Sequence, residues 1–275
     1  MYESSAVVIA HYHPQGRVAD YMVNLVKHLA RKSNTIVFVS TGINDAAIET
    51  IEAYARVIRR DNIGYDFWSY KLGIDELGDL AGLERLLLLN SSFIATDPES
   101  LTPYFFEPVK GPLIKGLTFS HEVNPHIQSY LFSFETSDLI RSSAFKEWWE
   151  NMQPINDKDE VVRRYECGMS DYFRRKGYKF DTAFKPSKQD LFLATGRLIS
   201  SRNLTLHNDC SSIIKLDLEK TGVVINPTHY LWDLLYMRFG VLKIKLLKEN
   251  PTGQNLATIY SLEPKVLQLI NDALH

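Results

Sequence analysis

The feature that most constrains this chain is an alternation, over its first third, of short apolar runs with segments of helical periodicity. The apolar runs lie at residues 6–10, 35–39, 55–58 and 86–89, and Thr35 and Arg56 are their polar exceptions. Between them, residues 18–30 and 48–55 place apolar side chains at helical spacing. Short, wholly apolar runs are typical of strands that are buried on both faces. Their alternation with helices predicts an α/β fold with a mostly parallel sheet and helices on both faces.

The pattern of apolar and polar residues changes after residue 112. Residues 118–135 mix aromatic and polar side chains as strands and loops do, and helical spacing returns at 145–152 and 161–176. No repeat, low-complexity tract or linker rich in Pro, Gly and Ser divides the sequence. We therefore expect one α/β domain in two halves, 1–112 and a mixed second half with a C-terminal extension, 113–275.

Charge and cysteine content exclude several classes of function. The 275 residues include 31 Lys and Arg against 33 Asp and Glu, a formal net charge of −2. Proteins that neutralise many phosphates carry a basic excess, so we expect no nucleic-acid partner. Cys167 and Cys210 fit neither a metal-ligand nor a redox spacing. Neither a signal segment nor the roughly 20 apolar residues of a membrane span is visible, which favours a cytoplasmic protein.

Polar residues that directly follow the predicted strands are the first candidates for a binding site. Ligands of open α/β sheets bind beyond the carboxyl ends of the strands. His11 follows the first strand, where it suits contact with a nucleotide base or ribose, or forms part of a plain loop. Asn90 and Ser92 follow the fourth strand and can hydrogen-bond a sugar or phosphate, or simply cap the strand end. Amide and hydroxyl groups alone are poor ligands for a hard cation.

The segment after the third strand, residues 59–71, is the richest in polar groups. Asn62 and Gly64 form an Asn-x-Gly turn, in which a glycine allows close approach of a ligand to the backbone. The following residues open a predicted helix, whose N-terminal amides favour anions. Asp66 can accept hydrogen bonds from a ribose or base, and Lys71 can pair with a diphosphate. The alternative is an ordinary helix entry with Asp66 as its cap and Lys71 in solvent.

Four blocks of residues, in order along the chain, carry a resemblance to a known family. They are 62–67 with 69–71; 116–118 with Ser120, Glu122, His126 and 128–130; 165–166 with Gly168; and 226–229 with 231–233, 242–244 and 250–251. In these blocks the chain resembles the rhamnan synthesis protein F family of glycosyltransferases. Their order and their spread over most of the chain make the resemblance specific.

The resemblance implies a GT-A-like fold in which residues 1–112 bind a nucleotide sugar and residues 113–275 face the acceptor. The implied reaction moves a sugar, typically L-rhamnose from dTDP-rhamnose, onto a polysaccharide or lipid-linked glycan of the cell surface, such as a lipopolysaccharide O-antigen. A lipid-linked acceptor would bring the protein to the inner face of the membrane as a peripheral partner.

One departure from the family pattern concerns the metal ion. GT-A enzymes hold Mn²⁺ or Mg²⁺ on the donor diphosphate through an acidic motif after the fourth strand. Relatives commonly have Asn-Asp-Ser where this chain has Asn90, Ser91 and Ser92. The missing acid leaves metal dependence open, with Asn90 and His229 as the remaining candidate ligands.

Inverting glycosyl transfer needs a carboxylate that takes the proton of the acceptor hydroxyl. Glu166 is the preferred candidate, because it lies near the start of the predicted helix at 161–176, where GT-A enzymes place their base. The alternative role for Glu166 is a carboxylate that interacts with the helix dipole. Glu122 is the competing base. It lies close to His126 and Gln128, which are expected to contact the acceptor or, for His126, to be structural.

Two features of the C-terminal part remain. His229 lies in a loop that can close over the diphosphate as a phosphate or metal ligand, or is a turn residue before a helix at 230–237. Residues 241–248 alternate Lys243, Lys245 and Lys248 with apolar side chains, which predicts a half-exposed strand or helix. Such a basic edge could touch an anionic membrane.

Two functions from different classes follow. The first is an inverting glycosyltransferase, for which most of the support comes from the family resemblance. The second is a non-catalytic subunit that binds a nucleotide or glycan within a polysaccharide assembly complex, which the departure at Ser91 keeps open.

Overall fold

The computed structural model describes residues 4–201 and 225–275 of the chain. Cys210 lies outside the described residues, and Cys167 is a buried thiol. The strands are β1 Ser5–Tyr12, β2 Thr35–Thr41, β3 Arg56–Arg60, β4 Arg85–Asn90, β5 Phe93–Ala95, β6 Leu113–Gly116, β7 Phe119–Ser120, β8 His126–Ile127, β9 Leu131–Glu135, β10 Lys179–Thr182 and β11 Val241–Lys243.

Helices connect these strands and cover the sheet. They are α1 Asp20–Leu29, α2 Asp45–Glu52, α3 Tyr65–Leu77, α4 Pro98–Leu101, α5 Pro103–Phe106, α6 Ser137–Ile140, α7 Ser143–Glu150, α8 Lys158–Val161, α9 Gly168–Arg175, α10 Lys188–Ser201, α11 Pro227–Tyr230, α12 Trp232–Phe239, α13 Ile244–Glu249 and α14 Pro264–Leu274. A π-helical turn, Val162–Cys167, joins α8 to α9, and a 3₁₀ turn, Ala257–Ser261, precedes α14. No helix in the described ranges is both long and apolar enough to cross a bilayer.

The main sheet has seven strands in the order β3-β2-β1-β4-β9-β6-β10. β1 pairs in parallel with β2 on one side and β4 on the other, and β3 and β10 are also parallel to their neighbours. β9 alone runs antiparallel, between β4 and β6. The predicted α/β, GT-A-like class with a mostly parallel sheet and a mixed second half is therefore confirmed.

Both faces of the central strands β1, β2 and β4 are buried, as the apolar runs predict. Along β1, Val7 and Ile9 face a core that includes α1, while Val8 and Ala10 face a second core that includes α3. Alternate side chains of one strand thus enter two different cores, which explains why the run has no polar residue between 6 and 10.

Element boundaries depart from the sequence prediction where side-chain caps decide them. The helix predicted at 48–55 begins earlier, at Asp45, because the Asn44 side chain caps it by accepting a hydrogen bond from the Ala47 amide at 2.9 Å.

Residues 241–248 form a short strand followed by a helix rather than one element. β11 pairs antiparallel with β5 and places Lys243 opposite Phe93. Nζ of Lys243 donates to Oγ of Ser92, just beyond the end of β4, so Lys243 does not form part of an outward basic edge.

Close contact between α3 and β1 requires a glycine in the helix. A Cβ atom added at Gly73 would lie 2.2 Å from Cγ1 of Val8, a residue buried in the sheet. We expect G73A to lower the free energy of unfolding by about 1–3 kcal/mol, because the helix must move off the strand. Urea denaturation monitored by circular dichroism measures this.

Gly196, in α10, provides the matched control. A Cβ added there would meet no described atom within 4 Å. G196A should raise the free energy of unfolding by about 0.5–1 kcal/mol, because alanine restricts the unfolded chain more than glycine does. Equal stability of G73A and the wild type would contradict the proposed packing of α3 on β1.

Candidate active site

The carboxyl end of β4 opens into a cleft of about 580 Å³. Its walls come from both halves of the chain, since α3, the loop after β7, the π-helical turn, α11 and β11 all contribute. Eight residues singled out in the sequence line it: Asp66, Asn90, Ser92, Glu122, His126, Gln128, Glu166 and His229. We refer to it as the main cleft.

A second, smaller cavity of about 260 Å³ adjoins the main cleft. Its walls include His11 and Asn62, two further residues expected to bind a nucleotide. Tyr65 and Asp66 line both spaces. Asp66 therefore lies at the junction between the smaller cavity, beyond β1 and β2, and the main cleft, beyond β4.

A chain of hydrogen bonds connects Asp66 to the strand ends. Oδ2 of Asp66 accepts from Nδ2 of Asn90 at 2.7 Å, so the half-buried Asp66 contacts β4 and does not cap α3. Oδ1 of Asn90 accepts from the amide and the hydroxyl of Ser92 at 3.0 and 2.6 Å. Oγ of Ser92 in turn accepts from Nζ of Lys243 at 2.6 Å. The predicted pair Asn90 and Ser92 thus joins a carboxylate to an ammonium group.

Burial shifts the pKa values of both ends of this chain. Desolvation raises the pKa of Asp66 to about 6, against the opposing effect of Lys243. Desolvation also lowers the pKa of Lys243 to about 8, although Glu166 and Asp66 oppose the shift. Lys158 and Lys245, both in the walls of the main cleft, add to the lowering by repulsion. Between about pH 6 and pH 8 the carboxylate and the ammonium are therefore both charged.

Glu166 lies in the π-helical turn, where the extra residue per turn changes the direction of the side chains. Its Oε1 accepts hydrogen bonds from the amide and the hydroxyl of Ser129 at 2.8 and 3.0 Å. Nε2 of the buried His126 lies 3.9 Å from the same oxygen, while its Nδ1 donates to the carbonyl of Asn124 at 2.7 Å. These contacts hold the Glu166 carboxylate in one orientation at the wall of the main cleft.

Glu122 is held by a different set of contacts. Its Oε2 accepts from Nδ2 of Asn226 at 2.8 Å. Oδ1 of Asn226 caps α11 by accepting from the amide and hydroxyl of Thr228 at 3.0 and 2.6 Å. Gln128 accepts from the Thr118 hydroxyl at 2.8 Å and approaches Oδ1 of Asn226 at 3.4 Å. Glu122 and Gln128 therefore line the cleft and also connect their own segment to Asn226 at the start of α11.

The smaller cavity is lined by buried polar groups beyond β1 and β2. Nδ1 of His11 lies 2.8 Å from Oγ of Ser40, its partner in the strand register. Burial and the neighbouring His13 lower the pKa of His11 to about 3, so its imidazole is neutral. Within the described ranges, the buried hydroxyl of Thr41 has no hydrogen-bond partner. A neutral ring and an unpartnered hydroxyl suit a polar, uncharged ligand group such as a base or ribose.

Arg60 organises the turn that follows β3. Its guanidinium donates to the carbonyl of Asp61 at 2.7 Å, to that of Tyr65 at 2.7 Å and to the hydroxyl of Ser69 at 2.9 Å. The turn is therefore fixed before any ligand binds. Asn62, at its exposed tip, reaches the wall of the smaller cavity.

Gly64 and Lys71 lie outside both cavities. Gly64 has a φ of +72°, and a Cβ there would approach Cβ of Trp68 to 2.6 Å and the backbone of Pro154 to 3.0 Å. The glycine is thus required by helix entry and packing rather than by a ligand that approaches the backbone. Lys71 forms an ion pair with Asp75 one turn along α3, which directs its ammonium away from the cleft.

Ser91 takes no part in the wall of the main cleft. Its Oγ accepts a hydrogen bond from the amide of Tyr12 at 3.0 Å, and its own amide donates to the carbonyl of Ala10 at 3.0 Å. Ser91 therefore fastens the end of β4 to the end of β1.

The described residues at the carboxyl end of β4 do not fit a protein-held divalent cation. The described part of the chain has no group of three or more His, Cys, Asp or Glu side chains placed to hold one. Both functional groups of Asn90 are already hydrogen-bonded, and Oγ of Ser92 already accepts from the Lys243 ammonium. His229 is an equally poor ligand site, because Lys243 and Lys245 make its surroundings cationic.

Two of the four non-glycine residues with positive φ in the described ranges line the main cleft. Tyr65 and Val123 have φ angles of 52° and 65°, and both line the main cleft with exposed side chains. A positive φ is costly for aromatic and β-branched residues, and such strain is characteristic of functional sites.

Sequence reasoning missed three contributors to this site. Lys243 was assigned to a half-exposed basic edge, Ser129 entered only as part of the resemblance block 128–130, and Thr41 was not singled out. Thr41 follows the second strand directly, so the strand-end rule could have found it. Lys243 and Ser129 depend on pairings between distant segments, for which the sequence carries no local signal.

The buried His229 gives a prediction about stability and pH. Burial, with repulsion from Lys243 and Lys245, lowers its pKa from 6.5 to about 4. The unfolded chain binds a proton near pH 6.5 and the folded chain only near pH 4, so this group lowers stability as the pH falls through that window. Between pH 6.5 and pH 4, we expect the free energy of unfolding of H229Q to fall by about 3 kcal/mol less than that of the wild type.

Urea denaturation at a series of pH values measures this difference. H121Q, which replaces an exposed histidine, is the control and should keep the pH dependence of the wild type. An H229Q curve parallel to that of the wild type would contradict the buried, cationic surroundings of His229.

Comparison with known proteins identifies the family. Residues 36–226 match the sequence model described as Rhamnan synthesis protein F. The virulence protein VirA of Vibrio anguillarum is 32% identical over 206 residues, which cover 71% of this chain and 63% of VirA. The uncharacterized protein y4gN of Sinorhizobium fredii is 26% identical over 196 residues, 64% of this chain and 47% of that protein. The chain thus spans less than two thirds of the length of these relatives.

Among solved structures, the apo-form glycosyltransferase GlyE of Streptococcus pneumoniae aligns with a TM-score of 0.44 and 14% identity, over 98% of this chain and 62% of GlyE. Glucosyl-3-phosphoglycerate synthase of Mycobacterium tuberculosis aligns with a TM-score of 0.43 and 12% identity, over 74% of this chain and 79% of that chain. On the sequence match over residues 36–226, the chain belongs to the rhamnan synthesis protein F family.

Proposed function

We propose that the protein is an inverting glycosyltransferase that uses a nucleotide-sugar donor. The observation that carries this proposal is the junction at Asp66 between two adjoining spaces of different chemistry. Besides Arg60 and Asp66, the smaller cavity offers neutral polar groups that suit a nucleoside. The main cleft offers carboxylates and lysines that suit a diphosphate, a sugar and an acceptor. Family membership supports the same class of reaction.

In the proposed reaction, the Glu166 carboxylate takes the proton of an acceptor hydroxyl. The hydroxyl oxygen forms a bond to the anomeric carbon from the face opposite the diphosphate. The bond between that carbon and the β-phosphate oxygen breaks, and its electron pair leaves with the nucleoside diphosphate. Ser129 contributes by orienting the base, because its two hydrogen bonds fix one carboxylate oxygen.

The donor and acceptor are proposed from the family rather than from the site. We propose dTDP-rhamnose as donor and a polysaccharide or lipid-linked glycan as acceptor, at a cytoplasmic or peripheral membrane location. Residues 1–112 would bind mainly the donor, and Glu122, His126 and Gln128 of the second half would face the acceptor. His11, Thr41 and Asn62 would contact the nucleoside.

The base assignment gives a direct test. We expect E166Q to lower kcat by about 10² to 10⁴, because the amide cannot take the acceptor proton. The affinity for the donor should change little, since the amide oxygen can still accept from Ser129. Initial rates of sugar transfer and calorimetric donor binding measure the two effects.

E122Q is the matched control in the same cleft. Its kcat should stay within about tenfold of the wild type if Glu166 is the base. A large loss of kcat in E122Q with little loss of kcat in E166Q would make Glu122 the base instead of Glu166. Donor binding by the wild type with no transfer to any acceptor would favour the non-catalytic binding subunit.

Donor identity is tested by thermal-shift titration with dTDP, UDP and GDP and with their sugar derivatives. A ligand that binds only the folded state raises the midpoint of unfolding as its site saturates. We expect dTDP and dTDP-rhamnose to give the largest shifts. A larger shift with UDP- or GDP-sugars would overturn the rhamnose proposal and leave the class of reaction intact.

A further inference from the structure

We infer that Lys243 supplies the positive charge on the leaving diphosphate that a divalent cation supplies in other nucleotide-sugar transferases. This inference rests on the proposed function and names the group that stabilises its leaving group. Lys243 would act as a fixed cation, built into the fold at the strand end where an acidic metal-binding motif is missing.

The position of Lys243 follows from strand pairing. β11 pairs antiparallel with β5, and β5 begins three residues after Asn90, the last residue of β4. The amide of Ile244 donates to the carbonyl of Ser92 at 3.1 Å, which fixes the backbone next to Lys243. The side chain is therefore anchored at the carboxyl end of β4, the edge of the sheet at which ligands of α/β proteins bind.

The contacts of the ammonium leave it able to bind a ligand. Among the described residues, Oγ of Ser92 at 2.6 Å is the one hydrogen-bond acceptor that Nζ reaches, and Nζ lies 4.2 Å from the centre of the Tyr130 ring. An ammonium has three N–H donors, so two are available to ligand oxygens. Lys243 is half-buried, so a ligand in the main cleft can complete the hydrogen bonds of its ammonium in place of water.

Three lysines share the main cleft with the carboxylates of Asp66, Glu122 and Glu166. Asp66 and Glu166 keep the ammonium charged, and Lys158 and Lys245 lie in the same walls from α8 and α13. Mutual repulsion among the three lysines would be relieved by a bound diphosphate. A divalent cation at Ser92 would add to that repulsion, because it would have to displace the ammonium from Oγ.

The chemical contribution of Lys243 requires no proton transfer. As the bond from the anomeric carbon breaks, negative charge grows on the β-phosphate oxygen that departs. Nζ–H groups of Lys243 would donate hydrogen bonds to that oxygen and stabilise the charge in a partly water-excluded site. The proton released by the acceptor hydroxyl still goes to Glu166.

The experiment compares three variants. K243M removes the charge but keeps an unbranched side chain, K243R keeps the charge with a different geometry, and K248M removes an exposed lysine of the same C-terminal segment as a control. With EDTA present, we expect the wild type and K248M to keep full turnover. K243M should lose about 10² to 10³ in kcat, and K243R should retain more activity than K243M.

A binding measurement separates this inference from the proposed function. Calorimetry in EDTA measures the affinity of each variant for dTDP and for dTMP. The loss of affinity caused by K243M should be at least tenfold larger for the diphosphate than for the monophosphate. Equal effects on both, or wild-type turnover in K243M, would overturn the inference. Loss of wild-type turnover in EDTA that Mn²⁺ restores would overturn it as well.

If the wild type transfers no sugar but the diphosphate selectivity depends on Lys243, the proposed catalysis fails and the assignment of Lys243 as the diphosphate-binding cation stands. If the wild type binds none of dTDP, UDP and GDP, both proposals fail. A thermal unfolding curve of K243M with the cooperativity of the wild type shows that the variant is folded.

Discussion

Parallel pairing of β1 with β2 on one side and β4 on the other is the constraint on which the site depends. The register sets His11 beside Ser40 and Ala10 beside Asn90, so the polar residues that follow three strands emerge at one edge of the sheet. Ser91 fastens the ends of β4 and β1 through the backbone of Tyr12. Without that common edge, the smaller cavity and the main cleft would not adjoin at Asp66.

Much of this arrangement could be predicted from the sequence, because it depends on residues that lie within or directly after single strands. A strand without polar residues, such as 6–10, must be buried on both faces, and βαβ connections then bring the carboxyl ends of neighbouring strands together. The strand-end rule therefore places His11, Asn62, Asp66, Asn90 and Ser92 in one region from the sequence alone. The same reasoning overestimates Gly64 and Lys71, because a glycine can serve helix entry and a lysine can pair within its own helix.

The remaining part of the site depends on contacts between distant segments. Lys243 reaches Ser92 across 151 positions of sequence, and Glu122 reaches Asn226 across 104. A lysine in an alternating basic segment looks like any surface lysine until strand pairing shows what covers it. Long-range pairing thus decides which cations and carboxylates share the main cleft, and the local pattern of residues does not contain that information. The division of labour between residues 1–112 and 113–275 stays a prediction.

The most direct test of the central claim, that the main cleft holds a nucleotide-sugar diphosphate on a cation of the protein itself, is a crystal structure of the wild type with a bound nucleoside diphosphate, grown in EDTA. We expect the nucleoside in the smaller cavity beside His11 and Thr41, and β-phosphate oxygens within hydrogen-bonding distance of Nζ of Lys243. A diphosphate bound outside the main cleft, or one that binds only through an added metal ion, would contradict the claim.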